Sequence, residues 1–307
     1  NSSNSINSSN SINSTNSSMK YAYFPGCSLH STAKEYDLSA REVAGALGIE
    51  LLEIPEWICC GATPAHITMH LLSLALPVKN LLQAKKMGSF EVATCCAACF
   101  SRLKIANEFM KNNLEHRDKV NKIVGQEYTG EVRVRHFLDI IVNVFGLKNL
   151  SEKVVKKLNG LKVACYYGCL LTRPPEVTQL DDLEEPHLMD DLMKTIGVEP
   201  VSWPYKTECC GASFSLTKTD IVLKLSGDIL QMASDEGAEA IVVACPLCQS
   251  NLDLRQGMIN KKYKKDFNMP IFYFTQLVGL ALGIEPDKLG FKKHIVSPMK
   301  LLKEKGI

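Results

Sequence analysis

Two sets of five cysteines recur in the same order along this chain, so whatever it folds into must gather five thiols twice. The first set is Cys27, Cys59, Cys60, Cys96 and Cys99; the second is Cys169, Cys209, Cys210, Cys245 and Cys248. Each reads as a lone cysteine, an adjacent pair followed by Gly-Ala, and a Cys-x-x-Cys. The surroundings keep step. Gly26 matches Gly168, and Leu47-Gly48-Ile49-Glu50 matches Ile196-Gly197-Val198-Glu199. Cys99-Phe-Ser-Arg-Leu matches Cys248-Gln-Ser-Asn-Leu, and 137–141 parallels 274–278. Self-similarity over this span, at a period of about 145 residues, marks an internal duplication. Cys95 and Cys165 fall outside the register.

Each half alternates short β-like runs with helical patterns. Strands are expected at 20–24, Glu91–Thr94, 161–167 and 240–244. Helices are expected at Lys34–Leu47, 71–87, 187–196 and 221–236, several of them stopping at a glycine. A further helix over 151–160 is expected to link the halves, and the polar stretch 107–131 reads as a surface helix and connector. Alternation of this kind predicts an α/β fold, internally duplicated, with small parallel sheets and flanking helices. The cysteines then fall where strands give way to loops, the usual ligand edge of such sheets. The expected units are a disordered Asn/Ser tract at 1–18, an N-terminal cluster domain at 19–150 and a C-terminal one at 151–307. Met19 is the expected natural start. The acidic stretch 178–191 reads as a solvated insertion.

A net charge of +2 leaves no basic excess of the kind that marks nucleic-acid binding. The longest apolar runs, 71–78 and 277–284, fall short of the roughly 18 to 20 residues a bilayer span needs. The expectation is a cytoplasmic protein without a membrane span. In that compartment twelve cysteines point to metal or redox chemistry rather than disulfides.

One zinc ion takes four ligands, and adjacent cysteines direct their side chains apart. Five thiols including an adjacent pair suit a multinuclear iron–sulfur centre better. An ordinary four-iron cube takes four thiolates, so the fifth is either a bystander or the sign of a different cluster. Gly61 and Gly211 suit backbone that passes close to a cluster, with N–H groups free to donate to sulfur.

Cys-Cys-Gly followed by Cys-x-x-Cys, present twice, resembles the cysteine-rich CCG family, and within it the B subunit of heterodisulfide reductase from methanogenic archaea. Tyr21-Ala22-Tyr23-Phe24-Pro25-Gly26-Cys27, Trp57-Ile58-Cys59-Cys60-Gly61-Ala62 and Ala244-Cys245-Pro246-Leu247-Cys248 carry the likeness, which runs from Met19 to about residue 290. It implies two noncubane [4Fe-4S] clusters, held by the ten matched cysteines, that reduce the coenzyme M–coenzyme B heterodisulfide to two thiols. It implies two partners, the ferredoxin-like C subunit and the flavin-containing A subunit of that reductase, with a hydrogenase or formate dehydrogenase in a larger assembly. The superfamily also holds electron-transfer subunits of glycolate-, lactate- and quinone-linked dehydrogenases, which is the alternative function. Candidate proton donors are His30 and His66. Candidate cations for an anionic substrate are Arg102, Arg173, Lys206 and Lys218.

Overall fold

The computed structural model describes residues 19–62 and 69–307. The Asn/Ser tract and His66 lie outside the described residues. Two four-stranded sheets form, each entirely parallel. The first contains β1 (Met19–Tyr23), β2 (Ile49–Glu53), β3 (Glu91–Thr94) and β4 (Arg133–His136) in the order β2-β1-β3-β4. The second contains β5 (Lys162–Tyr166), β6 (Glu199–Pro200), β7 (Ala240–Val243) and β8 (Ile271–Tyr273) in the order β6-β5-β7-β8. The duplication read from the cysteines is thus a duplication of sheets, strand for strand.

Helices cover both sheets, as parallel strands require. All four residues of β7 are buried. Helix Lys34–Leu47 stops where Gly48 turns to a φ of +76° and returns its N–H to the last turn. The edge strands β2, β4, β6 and β8 carry no clear alternating signal and were not among the expected strands. The helix expected at 151–160 forms instead at Leu147–Lys153. Beyond it, Val155 and Lys156 donate their N–H groups to the carbonyl of Ala281, which ties the connection to the second half and ends its helical path. The acidic stretch 178–191 is less solvated than expected. Asp181 accepts N–H groups from His187 and Leu188, and buried Asp190 accepts from Tyr167 Oη at 2.6 Å and pairs with Lys206 at 2.9 Å.

The halves pack into one continuous core. Helix Lys34–Leu47 lies against helix Phe274–Ala281, with Ser39 Oγ 2.7 Å from Thr275 Oγ1. The Tyr36 and Tyr273 rings stack at 4.0 Å. A single histidine joins the two sheets. His136 Nδ1 accepts the Leu138 N–H, so Nε2 carries the proton. That N–H donates to the carbonyls of Cys95 at 2.7 Å and Ala244 at 3.2 Å. These two carbonyls immediately precede Cys96 and Cys245. Burial holds the His136 imidazole down to about 4.

His136→Phe leaves both buried carbonyls without their donor and is expected to cost about 2–4 kcal/mol in chemical unfolding. The titration has a definite sign. The unfolded imidazole takes a proton near pH 6.5 while the folded one resists until about pH 4. Stability is therefore complete above 6.5 and falls by roughly 3 kcal/mol as pH drops to 4. His136→Gln should flatten that slope. An equal slope in wild type and variant would remove His136 as its source.

Candidate functional site

The cysteines line the C-terminal ends of the strands. Cys27 follows β1, the pair Cys59-Cys60 follows β2, and Cys96 follows β3. In the second half Cys169, Cys209-Cys210 and Cys245 follow β5, β6 and β7. The strand order reverses between β1 and β3, and again between β5 and β7. A crevice opens at such a switch point, and the cysteines rim it.

Within each set the same small devices bring the thiols together. Gly26 and Gly168 take φ of +72° and +66°. A Cβ on Gly26 would lie 2.8 Å from Cys99 Sγ, and one on Gly168 3.1 Å from Cys248 Sγ. Only glycine lets that backbone approach the sulfur. Gly61 and Gly211, at φ of +75° and +81°, donate their N–H groups to Cys59 Sγ and Cys209 Sγ at 3.4 and 3.3 Å. Cys60 Sγ lies 3.4 Å from Cys99 Sγ, and Cys210 Sγ 3.7 Å from Cys248 Sγ.

The sulfurs form a run of neighbours. Cys27 touches Cys59, Cys59 touches Cys60, Cys60 touches Cys99 and Cys99 touches Cys96. Cys96 then meets Cys245 of the other half, followed by Cys248 and Cys210. Among the described residues no three His, Cys, Asp or Glu side chains are placed to hold a single ion. The thiols meet pairwise in sequence rather than about one point.

Burial grades across this run. Cys27, Cys59 and Cys209 are exposed, whereas Cys60, Cys96, Cys99, Cys210, Cys245 and Cys248 are buried. All five thiols of the second set border one cavity of about 60 Å³. Leu170 and Leu247 close it from their own half, and Ala62, Ala97 and Ala98 close it from the other. A hydrogen bond from Cys169 brings the Cys209 thiol down to about 6, aided by the Gly211 and Ala212 N–H groups and opposed by burial. Cys59 is held far below the usual thiol range by Cys27 and Cys60. Cys245 is also held below the usual thiol range, by Cys248 and Cys96. Cys59 in the first set and Cys209 and Cys245 in the second are thus poised as thiolates, the form that binds metal. Convergent thiols, close glycines and N–H donors aimed at sulfur all fit an iron–sulfur centre.

The two cysteines outside the register sit apart. Cys95 is buried with Tyr23 Oη 3.8 Å from its sulfur, and Cys165 is buried within β5. Arg102 is half-buried beside Cys60; burial lowers its pKa and the Cys60 charge opposes that. Its equivalent in the repeat is Asn251, whose Nδ2 reaches Cys210 Sγ at 3.5 Å and the Cys210 carbonyl at 3.2 Å. Asn251 was not expected to act here, yet its register with Arg102 is visible in the sequence. His30 is exposed, edge-on to Trp57 at 5.4 Å and 3.7 Å from Glu53. Arg173 donates to Thr207 on the loop before Cys209, Lys206 is held by Asp190, and Lys218 is exposed.

The CCG cysteine-rich domain family matches residues 21–104 and 163–253, all ten cysteines included. The chain belongs to that family. It is 32% identical to the 8-methylmenaquinol:fumarate reductase membrane anchor subunit of Wolinella succinogenes, over 92% of this chain and 99% of that protein. It is 30% identical to the B subunit of the ferredoxin:CoB-CoM heterodisulfide reductase of Methanosarcina mazei, over 92% and 96%. Lactate utilization protein A of Bacillus subtilis is 22% identical over 85% of this chain. These similarities put the chain among iron–sulfur oxidoreductase subunits of the heterodisulfide reductase B kind. A crystal structure of a hypothetical protein from Helicobacter pylori shares the fold, with a TM-score of 0.71 at 15% identity. The match covers 91% of this chain, which spans about half, 52%, of that one. Among the described residues no helix is long and apolar enough to cross a membrane.

Gly26→Ala, whose new methyl meets Cys99 Sγ, is expected to remove about half of the bound iron and leave the second set loaded. Cys95→Ala and Cys165→Ala should keep their full iron. Iron and sulfide analysis decides the matter; equal loss in all three variants would contradict the division of the cysteines.

Proposed function

We propose that this chain is the electron-transferring iron–sulfur component of a multi-subunit oxidoreductase, linking a flavoprotein partner to a quinone-type acceptor. The observation that carries the reading is the run of touching thiols from exposed Cys27, through the buried Cys96–Cys245 junction, to Cys210. The ten matched cysteines would hold two [4Fe-4S] centres, one per set, and five thiolates at each suit a noncubane form; such centres supply one-electron redox chemistry when bound. The residues of the chain do the rest. Gly61 and Gly211 donate N–H groups toward sulfur, which favours the reduced state. Ala62, Ala97, Ala98, Leu170 and Leu247 give the second set an apolar border. Exposed Cys27, Cys59 and Cys209 leave each set an edge at which a partner can exchange electrons. The likeness to a component of a menaquinol-linked reductase supports this reading. We place the chain in a complex on the cytoplasmic side of the membrane.

The second reading is catalytic. The two sets would together reduce the coenzyme M–coenzyme B heterodisulfide, supplied with electrons by the ferredoxin-like and flavin-containing partners, and His30 and His66 would give protons to the product thiols. The 30% identity to a heterodisulfide reductase component and the exposed cysteines favour it. Of the four cations expected for an anionic substrate, Lys206 is committed to Asp190 and Arg173 to Thr207, whereas Arg102 lies beside Cys60 and Lys218 is exposed.

The readings part in a stopped-flow experiment. The cluster-loaded chain is reduced with dithionite, freed of excess, and mixed with a water-soluble menaquinone analogue or with the heterodisulfide. Rapid reoxidation by the quinone and slow reoxidation by the heterodisulfide is the expected result. Reoxidation by the heterodisulfide alone would overturn the first reading in favour of the second.

A further inference from the structure

A second cavity, of about 260 Å³, opens away from the cysteines, where helix Ala97–Asn112 and strand β4 meet residues 178–180 of the other half. Lys104, Lys111, Arg133 and Arg135 line it, against only two carboxylates, Glu108 and Asp139. Both carboxylates are already engaged, Glu108 by Lys111 at 2.7 Å and Asp139 by Arg135 at 2.7 Å. Lys104 and Arg133 remain. Arg133 is exposed, and the nearest carboxylate, Glu91, lies 3.9 Å away and is held more closely by Arg135 at 3.1 Å. The half-buried Lys104 ammonium donates to the Thr178 carbonyl and lies 5.3 Å from the Phe100 ring centre. Among the described residues it has no carboxylate within ion-pair distance. Burial lowers its pKa, and the charges of Asp139 and Glu108 oppose this.

We propose that this cavity binds a small aliphatic dianion, a short dicarboxylate or a phosphate monoester. Charge sets the first requirement: two cations are left over after the internal pairs are counted, and one of them is partly desolvated, where an ion pair is worth more than at the surface. Volume sets the second. At about 30 Å³ per water the cavity holds roughly nine waters, room for a small molecule. The exposed lining is mostly polar, with only a narrow apolar strip from Phe100, Val134 and Leu180, which suits a small, highly charged ligand. The inference is independent of how the cysteine sites are read, since no cysteine lines this cavity.

Isothermal titration of the cluster-loaded full chain tests it, with succinate, glycerol 3-phosphate and butyrate as probes. Saturable binding of at least one dianion is expected, weakened by salt, with no saturable heat from butyrate; the tighter dianion names the class. Lys104→Met should weaken that binding by about tenfold. Arg133→Gln, on an exposed position that the fold does not depend on, should weaken it several-fold while iron content stays unchanged. Absence of saturable binding by both dianions, butyrate binding as well as they do, or full affinity in both variants would each overturn the proposal.

Discussion

The His136 imidazole ties together the two loops on which the sites are built. Its one N–H is shared between the carbonyls of Cys95 and Ala244, equivalent positions in the two halves. Each carbonyl immediately precedes the cysteine that faces the other half, so the bond sets how closely Cys96 and Cys245 approach. Buried and neutral, the ring can do this only as the tautomer protonated on Nε2, a form fixed by the Leu138 N–H at Nδ1. In the repeat, Tyr273 occupies the corresponding place and stacks on Tyr36 across the same junction. The junction thus has a polar bolt on one side and an aromatic one on the other.

Around it, duplication has reproduced function more faithfully than chemistry. The glycines at 26 and 168 do the same steric work against Cys99 and Cys248, and the N–H groups of Gly61 and Gly211 do the same electrostatic work. One turn beyond the last cysteine, the halves diverge. Arg102 brings a full charge to Cys60, whereas Asn251 brings a neutral amide to Cys210. A cation beside a thiolate favours the more negative, reduced state of whatever is bound there. The two sites therefore have unequal charge beside matched cysteines, Arg102 in one and Asn251 in the other.

How much of this was legible in the sequence follows from which signals repeat. The cysteines, the glycines beside them and the central strands β1, β3, β5 and β7 repeat in register or form continuous apolar runs. The edge strands were hidden. β6 is two residues long and includes Pro200, and β4 reads Arg-Val-Arg-His, so neither shows the pattern of a buried strand. Asp190 looked solvated because its partners, Tyr167 and Lys206, lie far off in sequence and meet it only in the fold. The role of His136 was out of reach for the same reason, since both carbonyls it bridges lie far off in sequence, just beyond β3 and β7.

The central claim is that the two cysteine sets meet at one junction and hold centres near enough to act on each other. Electron paramagnetic resonance of the fully reduced, cluster-loaded chain tests this directly. Two reduced centres bound on either side of Cys96 and Cys245 should give a spin-coupled spectrum, with split or broadened lines and faster relaxation than either centre alone in a variant that retains one set. A spectrum equal to the sum of two independent signals, with relaxation unchanged by loss of the other set, would contradict the account.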